Sequence, residues 1–485
     1  MTGETLILAA LVLPLCAIFG ISICRQNPNL REAFTLVFSI LLLGAVMQLL
    51  SLVLTGARPE LLLLEMLPGI EIRFEVEPLG MLFAAVAAIL WPINSLYSIG
   101  YMRGNNEPHQ TRFYIFFAIA LGAARGVAFA GNLVTLFVFY EVLTLSTFPL
   151  VAHKGNQTAL IGARTYLGIL LSTSIGLLLP AIVWTWLASG TTEFRNGGIL
   201  AGHIEGTAIT LLALLYLFGV GKAAVMPVHR WLPAAMVAPT PVSALLHAVA
   251  VVKAGVFSLV KIVVYVFGLD LINQAPGVDW LLWIVCFTII AASVVALRQD
   301  NLKKRLAYST IGQLSYVVLG AVLLAPISIT GAALHIIAHA FGKITLFFAA
   351  GSIYTSCKKT EISQLDGIGR RMPFTMTAFS IGALSMIGVP PAAGFLSKWY
   401  LLMGAFQAEQ LIAVAVIIIS TALNAAYFVP IIYSAWFKRE SSEAILTYGE
   451  SPWPAVTALC MTAALTVLLF LFPQVPFELV QLIST

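Results

Sequence analysis

Fourteen apolar runs, each long enough to cross a bilayer, set the limits on how this chain can fold. They lie near residues 4–24, 32–56, 78–101, 113–129, 131–152, 158–189, 207–229, 239–269, 278–297, 306–325, 328–356, 372–408, 411–437 and 453–473. About 20 consecutive apolar residues are enough for a helix to span a membrane. Only 10% of the residues are charged, against about 25% in an ordinary soluble domain. We therefore predict an all-α polytopic membrane protein with about 14 transmembrane helices.

The basic residues between these runs predict the orientation of the chain in the membrane. Seventeen of the 26 lysines and arginines fall in one set of alternate loops, and only Arg58, Arg73 and Arg195 fall in the other set. Loops rich in lysine and arginine stay on the cytoplasmic side. The pattern favours fourteen spans in the plasma (inner) membrane with both termini outside. The N-terminal run lacks a basic start and a small-residue cleavage site, so we interpret it as the first span.

Two of the apolar runs are broken by proline, and each break carries a lysine. Between Lys222 and Pro241 the chain contains four prolines, and in the run 372–408 Pro390-Pro391 and Gly394 precede Lys398. Broken helices at membrane depth are tolerated where they line a polar cavity, and paired breaks indicate inverted repeats. We predict N-terminal helices over 1–112, a first antiporter-like repeat over 113–270, a second over 271–440, and a C-terminal transmembrane helix over 441–485.

A few charged side chains lie inside apolar runs, where they are expensive and indicate function. Glu141 is the one acid placed well inside a run, whereas Lys222, Lys253, Lys343 and Lys398 are more numerous than acids that could pair with them. A structural salt bridge that fixes helix packing is the alternative for Glu141. The surplus of lysines favours a proton relay, because a buried ammonium can release its proton. Lys261, two turns beyond Lys253, is expected to extend outward toward solvent.

Histidines accompany these lysines. His335, His339 and Lys343 are spaced four residues apart and share one helix face, while His247 lies six residues before Lys253. A polar stripe for protons or water and a packing role remain alternatives, and a metal site is disfavoured because no acidic ligand is near. The chain shows no Walker, dinucleotide, haem or zinc motif, and its five cysteines form no CxxC pair. We expect no cofactor and no metal. The segment His229-Arg230-Trp231 is expected to anchor the chain at the membrane edge.

The residues around these sites resemble a known family of transporters. The resemblance rests on the motifs Phe139-Tyr140-Glu141, Gly221-Lys222-Ala223, Trp231-Leu232-Pro233, Ala238 through His247, Val252-Lys253-Ala254-Gly255 and Gly394 through Lys398. These motifs resemble the antiporter-like subunits of respiratory complex I and of the Mrp cation/proton antiporters, across essentially the whole chain. The chain length and Lys398 are most similar to the D-type member of the Mrp antiporters.

The resemblance implies a fourteen-helix fold with a buried axis of proton-carrying groups. It implies Glu141 and Lys222 as a coupling pair, Lys253 with His247 as the connecting relay, and Lys398 as the exit. We add His335, His339 and Lys343 as supporting relay residues, because their spacing forms a polar stripe.

The predicted function is proton translocation within a multisubunit antiporter for Na⁺ or another monovalent cation. The expected partners are other membrane subunits, the transported ions and the lipid bilayer, with no nucleic acid. The chain is expected to have no catalytic centre of its own. One alternative is a proton-pumping subunit of a complex I-type NADH:quinone oxidoreductase or a membrane-bound hydrogenase, and another is a structural membrane scaffold.

Overall fold

The computed structural model describes residues 2–67, 70–440 and 448–483. The first part of the chain contains α1 (Gly3–Ile23), α2 (Pro28–Leu54), β1 (Glu60–Leu67), β2 (Ile70–Glu75), α3 (Pro78–Gly104), α4 (Gln110–Ala128), α5 (Leu133–Val151), α6 (Gln157–Thr173) and α7 (Leu179–Ser189). The middle contains α8 (Thr207–Gly219), α9 (Trp231–Ala234), α10 (Thr240–Ala244), α11 (Val251–Ile262), α12 (Leu269–Asn273), α13 (Asp279–Leu297) and α14 (Leu302–Val322). The last part contains α15 (Pro326–Cys357), α16 (Pro373–Ile387), α17 (Gly394–Gln407), α18 (Leu411–Phe437), α19 (Trp453–Leu471) and α20 (Gln474–Gln481).

The observed helices confirm a polytopic all-α membrane fold. Each of the fourteen predicted runs coincides with a helix or with helical segments in series, and within the described residues eleven such helical stretches are long and apolar enough to cross a membrane. Asparagine begins several of them: the side chains of Asn27, Asn132, Asn156 and Asn301 accept hydrogen bonds from backbone N–H groups of the first turn. These caps satisfy donors that the helix itself leaves unpaired. The number of fourteen crossings stays a prediction.

A short antiparallel hairpin was not predicted from the sequence. β1 pairs with β2, and Glu60 lies opposite Glu75. β1 reads ELLLLEML without strict alternation, and Leu62, Leu63 and Leu64 are all more than half exposed. The alternating burial that normally identifies a half-buried strand is therefore missing from β1. Arg73 in β2 binds Glu60 and Glu193, which attaches the hairpin to the loop after α7.

Three long segments form the centre of the molecule. In their most apolar stretches, Pro78–Gly104 is 83% buried, Thr240–Phe267 is 89% buried and Pro326–Cys357 is 100% buried. The N-terminal helices α1 and α2 and the C-terminal helix α19 are only about one third buried in the corresponding stretches, as expected for helices that face lipid. The central segments carry most of the polar side chains that the sequence marks as candidates. Their position removes those side chains from both lipid and bulk water.

The proline breaks divide the two segments as the sequence predicts. After α8 the chain passes through 3₁₀ turns at Gly221–Ala223, Val228–Arg230 and Ala235–Val237 before α10 begins. The second break separates α16 from α17. Two π-helical turns, Leu245–Val249 and Val263–Phe267, interrupt the central segment around α11, and such turns are frequent at functional sites. The division of the chain into two inverted repeats stays a prediction.

Candidate functional site

Lys222 lies in the first break and is fully buried. Its Nζ donates to the backbone oxygen of Tyr140 at 2.9 Å and to Thr144 Oγ1 at 2.5 Å, and it lies 3.1 Å from the centre of the Tyr140 ring. α11 packs directly on this turn because Gly255 has no side chain: a Cβ there would collide with the backbone of Lys222 and Ala223. Neutral oxygens and an aromatic face therefore surround the ammonium.

Glu141, the predicted coupling partner, follows Tyr140 on α5. Among the described residues no ion pair joins Glu141 to Lys222, although the two charges are near enough to interact. Both carboxylate oxygens of Glu141 are shielded from solvent and accept no hydrogen bond within the described ranges. Its neighbours Val142 and Leu145 are exposed on the outer side of α5. Glu141 therefore lies beside the Lys222 site, toward the surface of the chain.

Lys253 and His339 meet in the centre of the molecule. Lys253 projects from α11 and His339 from α15, and Nζ of the lysine lies 2.5 Å from Nδ1 of the histidine. Both side chains are fully buried. The family resemblance pairs Lys253 with His247, whereas the structure gives it His339 as its hydrogen-bond partner. The same spacing that places the two α15 histidines on one face thus brings one of them to the central lysine.

His335 lies next to His339 on α15, one turn nearer the N-terminal end of the helix. Its ring centre lies 6.1 Å from that of His339, and its Nδ1 lies 2.8 Å from Ser397 Oγ. Ser397 directly precedes Lys398 in α17. The helix face predicted from sequence therefore connects the central lysine to the second break.

Lys398 closes the carboxyl end of α16. Its Nζ donates to the backbone oxygens of Met386 and Ile387, each at 2.9 Å, and lies 4.9 Å from the centre of the Tyr316 ring. The last carbonyls of a helix have no partner inside the helix and carry partial negative charge. The second break therefore provides the oxygens that hold the ammonium, and the side chain is only slightly exposed.

Lys343 begins a second series of hydrogen bonds, which also ends at the carboxyl end of α16. Its Nζ donates to Ser309 Oγ at 2.7 Å. The Tyr427 hydroxyl lies 2.9 Å from Ser309 Oγ and donates to Asn424 Oδ1 at 2.5 Å. The Asn424 amide group in turn donates to the Met386 backbone oxygen at 3.3 Å. The same oxygen accepts a hydrogen bond from Lys398 of α17. This network is continuous through four side chains on α14, α15 and α18.

His247 has a different environment from the other two histidines. It lies in the π-helical turn Leu245–Val249, fully buried. Neither ring nitrogen has a hydrogen-bond partner in the described part of the chain, and the ring lies 4.9 Å from the Phe347 ring. The charges of His247 and Lys343 are near enough to interact. His247 is thus near the relay but bonded to no member of it.

These groups have the chemistry that proton transfer requires. A neutral imidazole accepts a proton at one ring nitrogen and releases one from the other. His335 and His339 each have a bonded Nδ1 and an Nε2 without a partner in the described residues. Lys253, Lys343 and Lys398 form no ion pair with a carboxylate in that part of the chain, and an isolated ammonium is unfavourable away from water. Each of these lysines can therefore act as a proton donor.

Comparison with known proteins identifies the family. The sequence model of the NADH:quinone oxidoreductase/Mrp antiporter transmembrane family matches residues 130–424, which is more than half of the chain. The chain belongs to this family. All eight predicted site residues, from Glu141 to Lys398, fall inside the matched region.

Relatives of this antiporter family are subunits of membrane complexes. NADH-quinone oxidoreductase subunit N of Desulforudis audaxviator is 32% identical over 76% of this chain and 73% of its own length. NAD(P)H-quinone oxidoreductase chain 5 of a Synechocystis species is 29% identical over 84% of this chain, and that of a Picosynechococcus species is 32% identical over 71%. The alignments span only 63% and 53% of the length of these two chain 5 proteins.

Solved structures show the same fold. A chain of the Mrp complex from Dietzia sp. DQ12-45-1b superposes with a TM-score of 0.85 over 100% of this chain and 97% of its own, at 20% identity. A chain of the membrane-bound sulfane sulfur reductase, an archaeal respiratory membrane complex, gives 0.84 over 99% and 96%, at 24% identity. The antiporter family fold is therefore adopted along the whole chain.

The predictions that Lys261 extends outward and that Trp231 anchors the chain at the membrane edge are wrong. Lys261 does not extend outward: it is buried and forms an ion pair with Glu77 at 3.1 Å, and it also donates to the Ala130 oxygen at 2.8 Å. Trp231 is no surface anchor either, because it is fully buried and its indole N–H donates to the Gly221 oxygen at 2.9 Å. In both cases the partner is an oxygen that the local sequence does not reveal.

Proposed function

We propose that this chain is a proton-translocating subunit of a multisubunit monovalent cation/proton antiporter of the Mrp type. The observation that carries the proposal is the buried contact series from Lys253 through His339 and His335 to Ser397 beside Lys398. The fold similarity to a chain of an Mrp complex supports the assignment to this type. Na⁺ is the cation we propose, and the plasma membrane with both termini outside is the proposed location.

In the proposed mechanism the proton moves in steps along the buried axis. Lys222 holds a proton among the oxygens of Tyr140 and Thr144, and the charge of Glu141 stabilises it. When a neighbouring subunit compensates the Glu141 carboxylate, the ammonium loses that support and the proton passes toward Lys253. The histidines of α15 then carry it to Lys398. Glu141, Lys222, Lys253 and Lys398 are the translocating residues, and His247, His335, His339 and Lys343 support them.

In this proposal each of the two repeats, 113–270 and 271–440, contributes one half of the proton pathway. Lys222 belongs to the break of the first repeat and Lys398 to the break of the second. The central segment that carries Lys253 lies between them in the chain. The chain itself performs no redox chemistry in this proposal, because none of its proposed roles requires a cofactor.

The experiment compares Lys222→Ala and Lys253→Ala with Lys304→Ala in vesicles that contain the whole complex. Lys304 is exposed and serves as the matched loss of one lysine. We expect both buried-lysine variants to lose cation-dependent proton movement by at least about 100-fold, as for loss of a positioned proton carrier. The Lys304→Ala control keeps the parent rate. Co-purification of the partner subunits checks assembly. Normal transport by fully assembled Lys222→Ala and Lys253→Ala complexes would favour the scaffold alternative.

A redox-driven pump is the second candidate, and the names of the relatives favour it. Proteins up to 32% identical over large parts of this chain are named subunits of quinone oxidoreductases. The same relay would then be driven by electron transfer in partner subunits. The two candidates differ in what starts proton movement: a cation gradient for the antiporter, an electron donor for the pump. Adding each separately to the same vesicles decides between them, and iron–sulfur proteins among the co-purifying subunits would favour the pump.

A further inference from the structure

An apolar groove lies behind α15, on the side away from its histidines. It has a volume of about 380 Å³, and its walls come from α2, α3, α15, α19 and α20. All fifteen described side chains that line it are apolar. A space of this kind stays free of water, because it offers water no hydrogen-bond partners. We call it the apolar groove.

The groove opens on the side of the bundle. Buried Leu82 and Val86 of α3 and Phe341 of α15 form its floor, whereas Leu468 and Phe472 at its rim are 46% and 65% exposed. α3, α15 and α19 are each long and apolar enough to cross a membrane. An opening between such helices faces the hydrocarbon of the bilayer. The groove is therefore in contact with lipid.

One end of the groove lies at a membrane surface. Leu50 is four residues before the end of α2, and Phe472 follows the last residue of α19. Both helices end on the face opposite the lysine-rich loops. The groove extends from there to Ile89, eleven residues after the start of α3, which is about 16 Å along the helix axis. It thus connects the level of the headgroups with the hydrocarbon core.

The size of the groove excludes another helix. One helical turn, with a pitch of about 5.4 Å and a diameter of about 10 Å, occupies about 420 Å³. This volume exceeds that of the whole groove. A lipid acyl chain is narrower than a helix, and rotation about its C–C bonds lets it follow an irregular wall. It also restores the dispersion contacts that an empty gap would lose.

The groove reaches the back of the helix that carries the relay histidines. Ile337 and Phe341 line it and are spaced four residues apart, so they share one face of α15. His335 and His339 lie on the opposite face, because a shift of two residues turns a side chain by about 200° around a helix. An occupant of the groove would pack against α15 directly behind these histidines.

A positive charge lies at the outer end of the groove. α20 closes this end with Leu479, and Arg58, from the loop after α2, donates to the Leu482 oxygen at 3.4 Å. Leu482 is three residues after Leu479, about one helical turn. Arg58 is exposed and forms no ion pair with a carboxylate among the described residues. Its guanidinium therefore has donors left for an anion at the level of the headgroups.

We propose that the apolar groove binds one phospholipid, whose acyl chain fills the space behind α15 and whose phosphate binds Arg58. A guanidinium and a phosphate are complementary in charge and in bidentate geometry. A quinone fits less well, because its ring carbonyls need hydrogen-bond donors and the described lining is apolar throughout. The site requires only the fold, so it is independent of the proposed transport function.

The first test maps where a lipid probe reacts. The whole complex in nanodiscs receives a phospholipid with a diazirine in the middle of one acyl chain, and peptide mass spectrometry locates the adducts after photolysis. We expect adducts on Ile337 or Phe341 that saturate at a low fraction of probe. Phe287 is 65% exposed on α13 and does not line the groove. It reports general lipid contact, so its labelling should rise in proportion to the probe.

The second test fills the groove with a larger side chain. Ala85 is half-buried and lines the groove, so the indole of Ala85→Trp should displace the acyl chain. The adducts on α15 should disappear, while Phe287 is labelled as before. Ala188→Trp is the matched control, because Ala188 is also half-buried but lies on α7, outside the groove. Co-purification of the partner subunits checks that both variants assemble.

The third test removes the charge at the outer end. Arg58→Gln should weaken binding of the probe at α15 by about two- to fivefold, the size of the effect expected for an exposed ion pair. Arg58→Lys should keep most of the affinity. Arg195→Gln is the control, because Arg195 is also exposed, pairs with Glu193 and does not line the groove. Since Arg58 is exposed, its replacement leaves the packing of the helices intact.

Four results would overturn the site. Labelling of Ile337 and Phe341 that rises in proportion to that of Phe287 would show ordinary contact with the bilayer. Absence of adducts on α15 in the parent complex, with Phe287 labelled, would show that a partner subunit covers the groove. Displacement of the probe by an isoprenoid quinone but not by added phospholipid would assign the groove to quinone. An unchanged affinity in Arg58→Gln would contradict the phosphate contact.

Discussion

At the scale of single residues, the buried lysines are held by neutral oxygens and not by carboxylates. Lys222 donates to a backbone oxygen and a threonine hydroxyl, Lys398 to two helix-terminal carbonyls, and Lys343 to a serine. Lys253 instead contacts the Nδ1 of His339, and Lys261 differs from all of these because Glu77 is its partner. A carboxylate at hydrogen-bonding distance would fix the proton on the lysine, whereas neutral oxygens accept either protonation state. The lysines proposed to release protons are therefore ones whose Nζ has no carboxylate at hydrogen-bonding distance among the described residues.

Glu141 gives the prediction at this scale. We expect Glu141→Gln to abolish cation-dependent proton movement, because it removes the charge that supports the Lys222 ammonium while keeping the size of the side chain. Glu141→Asp should retain part of the activity, since it keeps the carboxylate and shortens its reach by one methylene. Initial rates of proton movement in vesicles measure the effect, with subunit co-purification as the check on assembly. Equal rates for Gln and the parent would exclude a role for the charge.

At the scale of helices, the elements could be predicted from sequence better than the contacts between them. The apolar runs predicted helix ends to within a few residues at α1, α13 and α18, because membrane helices are marked by continuous apolarity. The breaks were predicted from proline for the same local reason. Ser309, Tyr427 and Asn424 were missed, since nothing local marks a hydroxyl or amide as part of a network 118 residues across the chain. The ion pair between Lys261 and Glu77 is likewise not predictable from local sequence, because the two residues are 184 positions apart.

The second helix break gives a prediction about Lys398. In Lys398→Ala the last carbonyls of α16 lose their donor, so both transport and assembly should fall. In Lys398→Arg the donors remain but the guanidinium does not release its proton, so the complex should assemble normally and fail to transport. The measurement pairs the amount of assembled complex with the transport rate per complex. Parent-level transport by Lys398→Arg would show that this side chain only closes the helix end.

At the scale of the whole molecule, the distribution of charge gives the chain one basic face. A cavity lined by Lys154, Lys303 and Lys359 opens there, together with the exposed Lys304 and Lys358. The hairpin that contains Glu60, Glu65, Glu71 and Glu75 lies in a loop of the opposite set. Because lysine-rich loops usually remain on the cytoplasmic side, the proposed orientation places this basic face in the cytoplasm.

That orientation is tested by labelling single cysteines in intact cells. We expect Glu65→Cys, in the exposed part of β1, to react with an impermeant thiol reagent added outside. Lys304→Cys and Lys358→Cys, both exposed on the basic face, should react only after the membrane is opened. All three positions are solvent-exposed in the structure, so a difference between them reports sidedness and not burial. Labelling of the two lysine positions from outside, with Glu65→Cys protected, would reverse the proposed orientation and place the basic face outside the cell.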